Sequence, residues 1–133
     1  MLLKKAVSTL LLGALCASLT AQADVKIGVI TSSTGPIALV GIPQKNSIAL
    51  MPSEAGGEAI RYVALDDGSD PTATVKAFKK LLDEEKVDAI IGPSGSPNAM
   101  GVIQFAAESG TPLLAPVGTC LLYTSDAADD SLR

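Results

Sequence analysis

The chain has 133 residues, with ten Lys and Arg against fourteen Asp and Glu, and neither His nor Trp. At 47% apolar and 18% charged it is core-forming rather than disordered, and its length holds one domain at most. The acidic balance without a basic cluster argues against nucleic acid, 3% aromatics are too few for a stacking platform, and the lack of His, with only two widely separated Cys, removes zinc, Cys-His and Ser-His-Asp chemistry.

Taken in chain order, Lys4 and Lys5 precede an apolar run over 6–19, and Ala21-Gln22-Ala23 has the small-x-small form of a cleavage site. The run is shorter than the ~20 residues of a membrane span. Leu15 stands before Cys16 where a lipid-attachment signal needs a small residue, so lipidation is not expected. Residues 1–23 therefore read as a signal peptide, and the mature chain is expected to begin at Asp24 after export.

Residues 25–30 are apolar and β-branched and predict a strand. A Thr/Ser/Gly/Pro loop follows to 36. A helix is expected from Pro43, at its first turn, to about residue 54, with Pro52 ending it. Gly56-Gly57 is a turn, and 60–65 is a second strand. Asp66 to Ser69 break that strand. Asp70 then reads as an N-cap with Pro71 behind it, opening a helix whose buried stripe is Val75, Phe78, Leu81 and Leu82. A third strand is expected over 87–91. Loop 92–96 leads to Ser96 as N-cap and Pro97 as first helical residue, with Val102, Ile103 and Ala106 facing inward. Gly110 is placed as the C-terminal cap, and 111–115 is a fourth strand.

The order βαβαβαβ predicts an α/β fold with a parallel sheet. Ligand sites in such sheets lie beyond the carboxyl ends of the strands, where strand order reverses. The loops at that edge are 31–42, 66–70, 92–96 and 115–119. Within 24–119, seven Lys and Arg face eleven Asp and Glu, and there is no Cys, so no disulfide supports the core.

Residues 120–130 continue with neither helical nor strand period. Back-translated in one frame, Cys120 to Asp130 resembles the end sequence of transposase-type sequencing adapters over eleven consecutive residues. Residues 120–133 are accordingly expected to be a non-native tail, and the native reading frame to continue past Thr119.

Loop 92–96 carries most of the chemistry. Ser94, Gly95 and Ser96 run into a helix N-terminus, where free N–H groups and the helix dipole favour a carboxylate. On local signal alone, Ser96 reads better as a helix cap, since capping serines are common. Asp66, Asp67 and Asp70 form an acidic cluster that suits a cation, although a polar turn with an N-cap explains it better. No metal site or cofactor is expected. Gly28, Gly35 and Gly41 make no dinucleotide fingerprint, and neither a phosphate loop nor a nucleophile elbow is present. An enzyme is therefore not expected.

A set of short motifs points further. Lys26-Ile-Gly-Val-Ile, Thr34-Gly-Pro-Ile-Ala, Asp66-Asp-Gly-Ser-Asp-Pro, Val87-Asp-Ala-Ile-Ile-Gly-Pro and Thr111-Pro-Leu-Leu-Ala-Pro stand in order across 24–119. Together they resemble the Leu/Ile/Val-binding type of periplasmic solute-binding protein, the extracytoplasmic receptor of ABC importers. The resemblance implies that 24–119 opens the N-terminal lobe of a type I periplasmic binding fold. A second lobe would follow, and an amino acid or related small carboxylate would be clamped between the two and presented to a membrane permease. By the same resemblance, Ser96 holds the ligand carboxylate, beside Ser94 and Gly95. Thr119 contacts the ligand head group, with Val117 and Gly118 just before it. Val40 stands where some relatives place an aromatic over the ligand. A ligand-sensing lobe without a transport role remains the alternative.

Overall fold

The computed structural model describes residues 24–117, so the predicted signal peptide, the tail, Gly118 and Thr119 lie outside the described residues. The elements are β1 (Val25–Thr31), α1 (Ala38–Ser47) with a 3-10 turn (Ile48–Leu50), β2 (Glu54–Ala55), β3 (Glu58–Asp66), α2 (Pro71–Asp83), β4 (Ala89–Ile91), α3 (Ser96–Ser109) and β5 (Leu113–Leu114). The sheet runs β2-β3-β1-β4-β5. β1 pairs in parallel with β3 on one side, from Val25↔Ile60 to Thr31↔Asp66, and with β4 on the other. β4 and β5 are also parallel. The expected α/β architecture holds, with one addition. β2 pairs antiparallel to β3 through a two-residue turn at Gly56 and Gly57, whose φ angles of 64° and 86° are those a tight hairpin requires.

The core lies between the sheet and the pair α2 and α3. Ile30 of β1 and Ile90 of β4 pack there with Phe78, Leu81, Val102 and Ala106. Each large side chain buried in this way contributes about 1.5–3 kcal/mol. α2 forms as expected: the Asp70 carboxylate accepts the Ala73 amide at 2.9 Å, and Pro71 supplies the first turn. In α3, Val102 and Ala106 are buried, but Ile103 is 39% exposed, against expectation. It flanks the two-residue edge strand β5, which is too short to cover it.

α1 departs most from expectation. It starts five residues earlier, at Ala38, so Pro43 lies inside the helix rather than at its start. Proline has no N–H for the carbonyl four residues back, here Leu39. Leu39 is 90% exposed, so that carbonyl is on the solvent side. The start is set by the local turn from Gly35 to Ala38 and, at longer range, by the packing of Gly41 onto the Ser32 backbone. The 3-10 turn ends before Pro52, and Met51 is extended, as a residue preceding proline prefers.

Candidate functional site

β1 is the strand at which the order reverses. The chain passes from β1 to β3 on one side, then back across β1 to β4 on the other. The loops after β1 and β4 therefore open a crevice between them, at the end of the sheet where ligands bind in such folds. A cleft of about 440 Å³ lies there. Pro36, Ile37 and Val40 wall it on one side, Ser94, Gly95 and Ser96 on another, and Ser69, Pro71, Pro97, Asn98 and Pro116 complete it. Among the described residues no Lys or Arg lines it. What the described residues offer an anion in this cleft is amides, hydroxyls and the dipole of α3.

Hydrogen bonds among the loops set the shape of the cleft. The Ser32 amide donates to Ser94 Oγ at 3.0 Å, tying the loop after β1 to the loop after β4. Thr34 Oγ1 donates to Asp66 at 2.8 Å, and Ser69 Oγ donates to the Thr34 carbonyl at 2.8 Å, tying in the loop after β3. Burial works to raise the Asp66 pKa, but the Gly68 amide and the Thr34 hydroxyl and amide outweigh it and hold the carboxyl below its ordinary value. The Ala73 and Thr72 amides lower that of Asp70. These carboxylates are thus engaged as turn and cap. No group of three or more His, Cys, Asp or Glu suited to a metal ion occurs among the described residues.

Of the residues singled out in the sequence, Val40, Ser94, Gly95 and Ser96 come together in this cleft. Ser94 is buried at 7% exposure and its hydroxyl accepts from Ser32. Gly95, not Ser96, occupies the cap position of α3, and Ser96 is its first helical residue, which corrects the expected cap. A side chain at Gly95 would press on Ile37 Cδ1 and Asn98 Oδ1, so this glycine leaves room at the mouth. Val40 is half-exposed at the rim. Val117 lies elsewhere. It lines a second, apolar groove of about 460 Å³ beside α3 and β5, with Ile103 and Leu113.

Asn98 was not singled out in the sequence, although it is a polar residue within the buried stripe 98, 99, 102 and 106 of α3. The central role of Asp67 was also missed. Its carboxylate is 1% exposed and accepts from Ser32 Oγ, Thr74 Oγ1, Asn98 Nδ2 and the Ser69 amide, at 2.6 to 2.9 Å.

Comparison with known proteins agrees with this fold. The periplasmic binding protein family model matches residues 24–131. The Leu/Ile/Val-binding protein BraC3 of Rhizobium johnstonii is 30% identical over 135 residues, covering 97% of this chain and 36% of that protein. The chain thus spans about a third of the length of this relative. The crystal structure of an extracellular ligand-binding receptor from Rhodopseudomonas palustris HaA2 is 46% identical, with a TM-score of 0.73 over 76% of this chain and 28% of that one. A solute-binding protein of an ABC transporter from Rhodopseudomonas palustris BisB5, solved with 3,4-dihydroxybenzoic acid, is 27% identical, with a TM-score of 0.68 over 72% of this chain and 28% of that one. The chain belongs to the periplasmic binding protein family, with the type I fold of its structural relatives.

Proposed function

We propose that residues 24–119 form the opening part of the N-terminal lobe of an extracytoplasmic receptor for an ABC importer, which takes an amino acid or related small carboxylate. The observation that carries this reading is the meeting of Ser94, Gly95 and Ser96 with the first turn of α3, in a 440 Å³ cleft at the point where strand order reverses. Helix N-terminal amides and serine hydroxyls are suited to a carboxylate, and the Pro36, Ile37 and Val40 wall is suited to an apolar remainder. The relatives support the same class, since one is named for Leu, Ile and Val and another was solved with an aromatic acid.

In this reading Ser96 and its neighbours hold the carboxylate, and Thr119 contacts the ligand head group. Closure of a second lobe supplies the grip on the ammonium, and the closed form is presented to a membrane permease. Residues 1–23 direct export, and residues 120–133 are not native to the receptor.

Calorimetry on the full-length gene product tests the assignment. Ser96→Ala removes one charge-assisted hydrogen bond, about 1.5–3 kcal/mol, and should weaken L-leucine or 3,4-dihydroxybenzoate binding about ten- to a hundredfold. A lower melting temperature with an unchanged dissociation constant would make Ser96 a purely structural residue.

A further inference from the structure

Asp67 is a fully buried carboxylate that lines no part of the cleft and, among the described residues, pairs with no cation, yet three loops and a helix start that wall the cleft lead back to it. One oxygen accepts from Ser32 Oγ at 2.6 Å and from the Ser69 amide at 2.9 Å. The other accepts from Thr74 Oγ1 at 2.8 Å and from Asn98 Nδ2 at 2.9 Å. Those four donors belong to the loop after β1, the loop after β3, α2, and the first turn of α3. Ser32 in turn donates its amide to Ser94 Oγ, so the loop after β4 joins the same network. Ser69 is held at a positive φ of 65° by its bonds to Asp67, Thr34 and Ile37.

A buried carboxylate without a cation is costly unless its hydrogen bonds are all made. Here four donors meet its two oxygens, and no buried polar side-chain atom among the described residues lacks a partner. We propose that Asp67 is the positioning residue of the cleft: its four hydrogen bonds lock the three loops and the start of α3 into the shape that receives the ligand. That the locked cleft receives a carboxylate rests on the function proposed above.

The charge of Asp67 gives the proposal a definite sign. A negative charge behind the α3 N-terminus opposes a bound carboxylate. If Asp67 acted on the ligand through charge alone, neutralising it would tighten binding. A positioning role predicts weakening. Asp67→Asn is a near-isosteric test, because its amide NH₂ cannot accept. In one orientation the NH₂ faces the Ser69 amide, and in the other it faces Asn98 Nδ2, so one donor of the network is opposed either way.

Amide hydrogen exchange on the chain, read residue by residue, compares wild type with Asp67→Asn and with Leu81→Ala, a core change outside the cleft. Asp67→Asn is expected to speed exchange at Ser32 and Ser69 by at least about tenfold, the loss of roughly one charge-assisted hydrogen bond. Core amides of β1 should keep their wild-type rates. Leu81→Ala should speed exchange throughout. A uniform increase in Asp67→Asn, like that of Leu81→Ala, would overturn the proposal and leave Asp67 a general stabiliser. L-Leucine titrated into the full-length gene product reads the sign: weaker binding by Asp67→Asn supports positioning, and tighter binding overturns it. If wild type takes neither L-leucine nor 3,4-dihydroxybenzoate while exchange responds locally, the functional reading fails and the locking role of Asp67 stands.

Discussion

The same substitution, Gly to Ala, should have opposite effects in two helices of this fold. Gly41 in α1 and Gly101 in α3 are both helical, and helix propensity alone favours Ala over Gly by about 0.8–1 kcal/mol. At Gly101 an added methyl would meet Val75 Cγ2 at 3.7 Å and the Pro71 carbonyl at 3.8 Å, ordinary contact distances. Propensity should win there, with a gain of about 0.4–1 kcal/mol. At Gly41 the methyl would fall on the Ser32 carbonyl and within 2.8 Å of the Ser33 amide nitrogen. Both are backbone and cannot rotate away, so α1 must move off the loop. Overpacking of this kind costs about 1–3 kcal/mol or more, which exceeds the propensity gain. For a domain of this size 1 kcal/mol moves the melting temperature by about 4–8 °C. Thermal unfolding followed by circular dichroism should therefore show Gly101→Ala a few degrees above wild type and Gly41→Ala several degrees below it. A Gly41→Ala protein as stable as wild type would refute the close approach of α1 to the loop after β1, and with it the placement of the Ile37 and Val40 wall.

Other outcomes follow from the caps and the chain ends. Asp70→Ala should lower the melting temperature by removing the acceptor for Ala73. Because hydrogen bonding lowers the folded-state pKa of Asp70 below about 3.8, its contribution is complete above that value and fades as pH falls through the lower folded value. The gap between wild type and Asp70→Ala in acid titrations should therefore close only below pH 3.8. N-terminal sequencing of the exported product should begin at Asp24, and a product retaining Met1 would contradict the leader assignment. Long-read sequencing of the locus should show a reading frame that departs from Cys120 onward, and native codons for Cys120 to Asp130 would contradict the tail assignment.

What could be read from the sequence follows the range of the interactions involved. The α2 start was legible because Asp70 and Pro71 act on amides within three residues. Gly110, at φ 67°, marks the end of α3 as expected, because a C-terminal cap is equally local. The start of α1 was not legible, because Gly41 is placed by a contact with Ser32 and Pro43 suggested a helix start instead. Ile103 looked buried by period, yet it lies beside a sheet edge whose shortness the pattern does not show. In the cleft, Ser94, Gly95 and Ser96 were visible as a small-residue loop opening a helix. Asp67 was not distinguishable from Asp66, since both read as turn acids. Two of its partners, Ser32 and Asn98, stand 35 and 31 residues away and become visible only once the sheet brings the loops together.

The central claim is that the cleft at the reversal of strand order receives a carboxylate at the start of α3. Amide chemical-shift mapping on the isotope-labelled chain tests it directly, since even weak binding to an incomplete lobe moves the amides it touches. Added L-leucine should shift the amides of Gly95, Ser96 and Asn98, and L-leucinamide, which lacks the carboxylate, should leave them in place. Equal shifts with both compounds, or shifts confined to the Ile103 and Leu113 groove, would contradict the account.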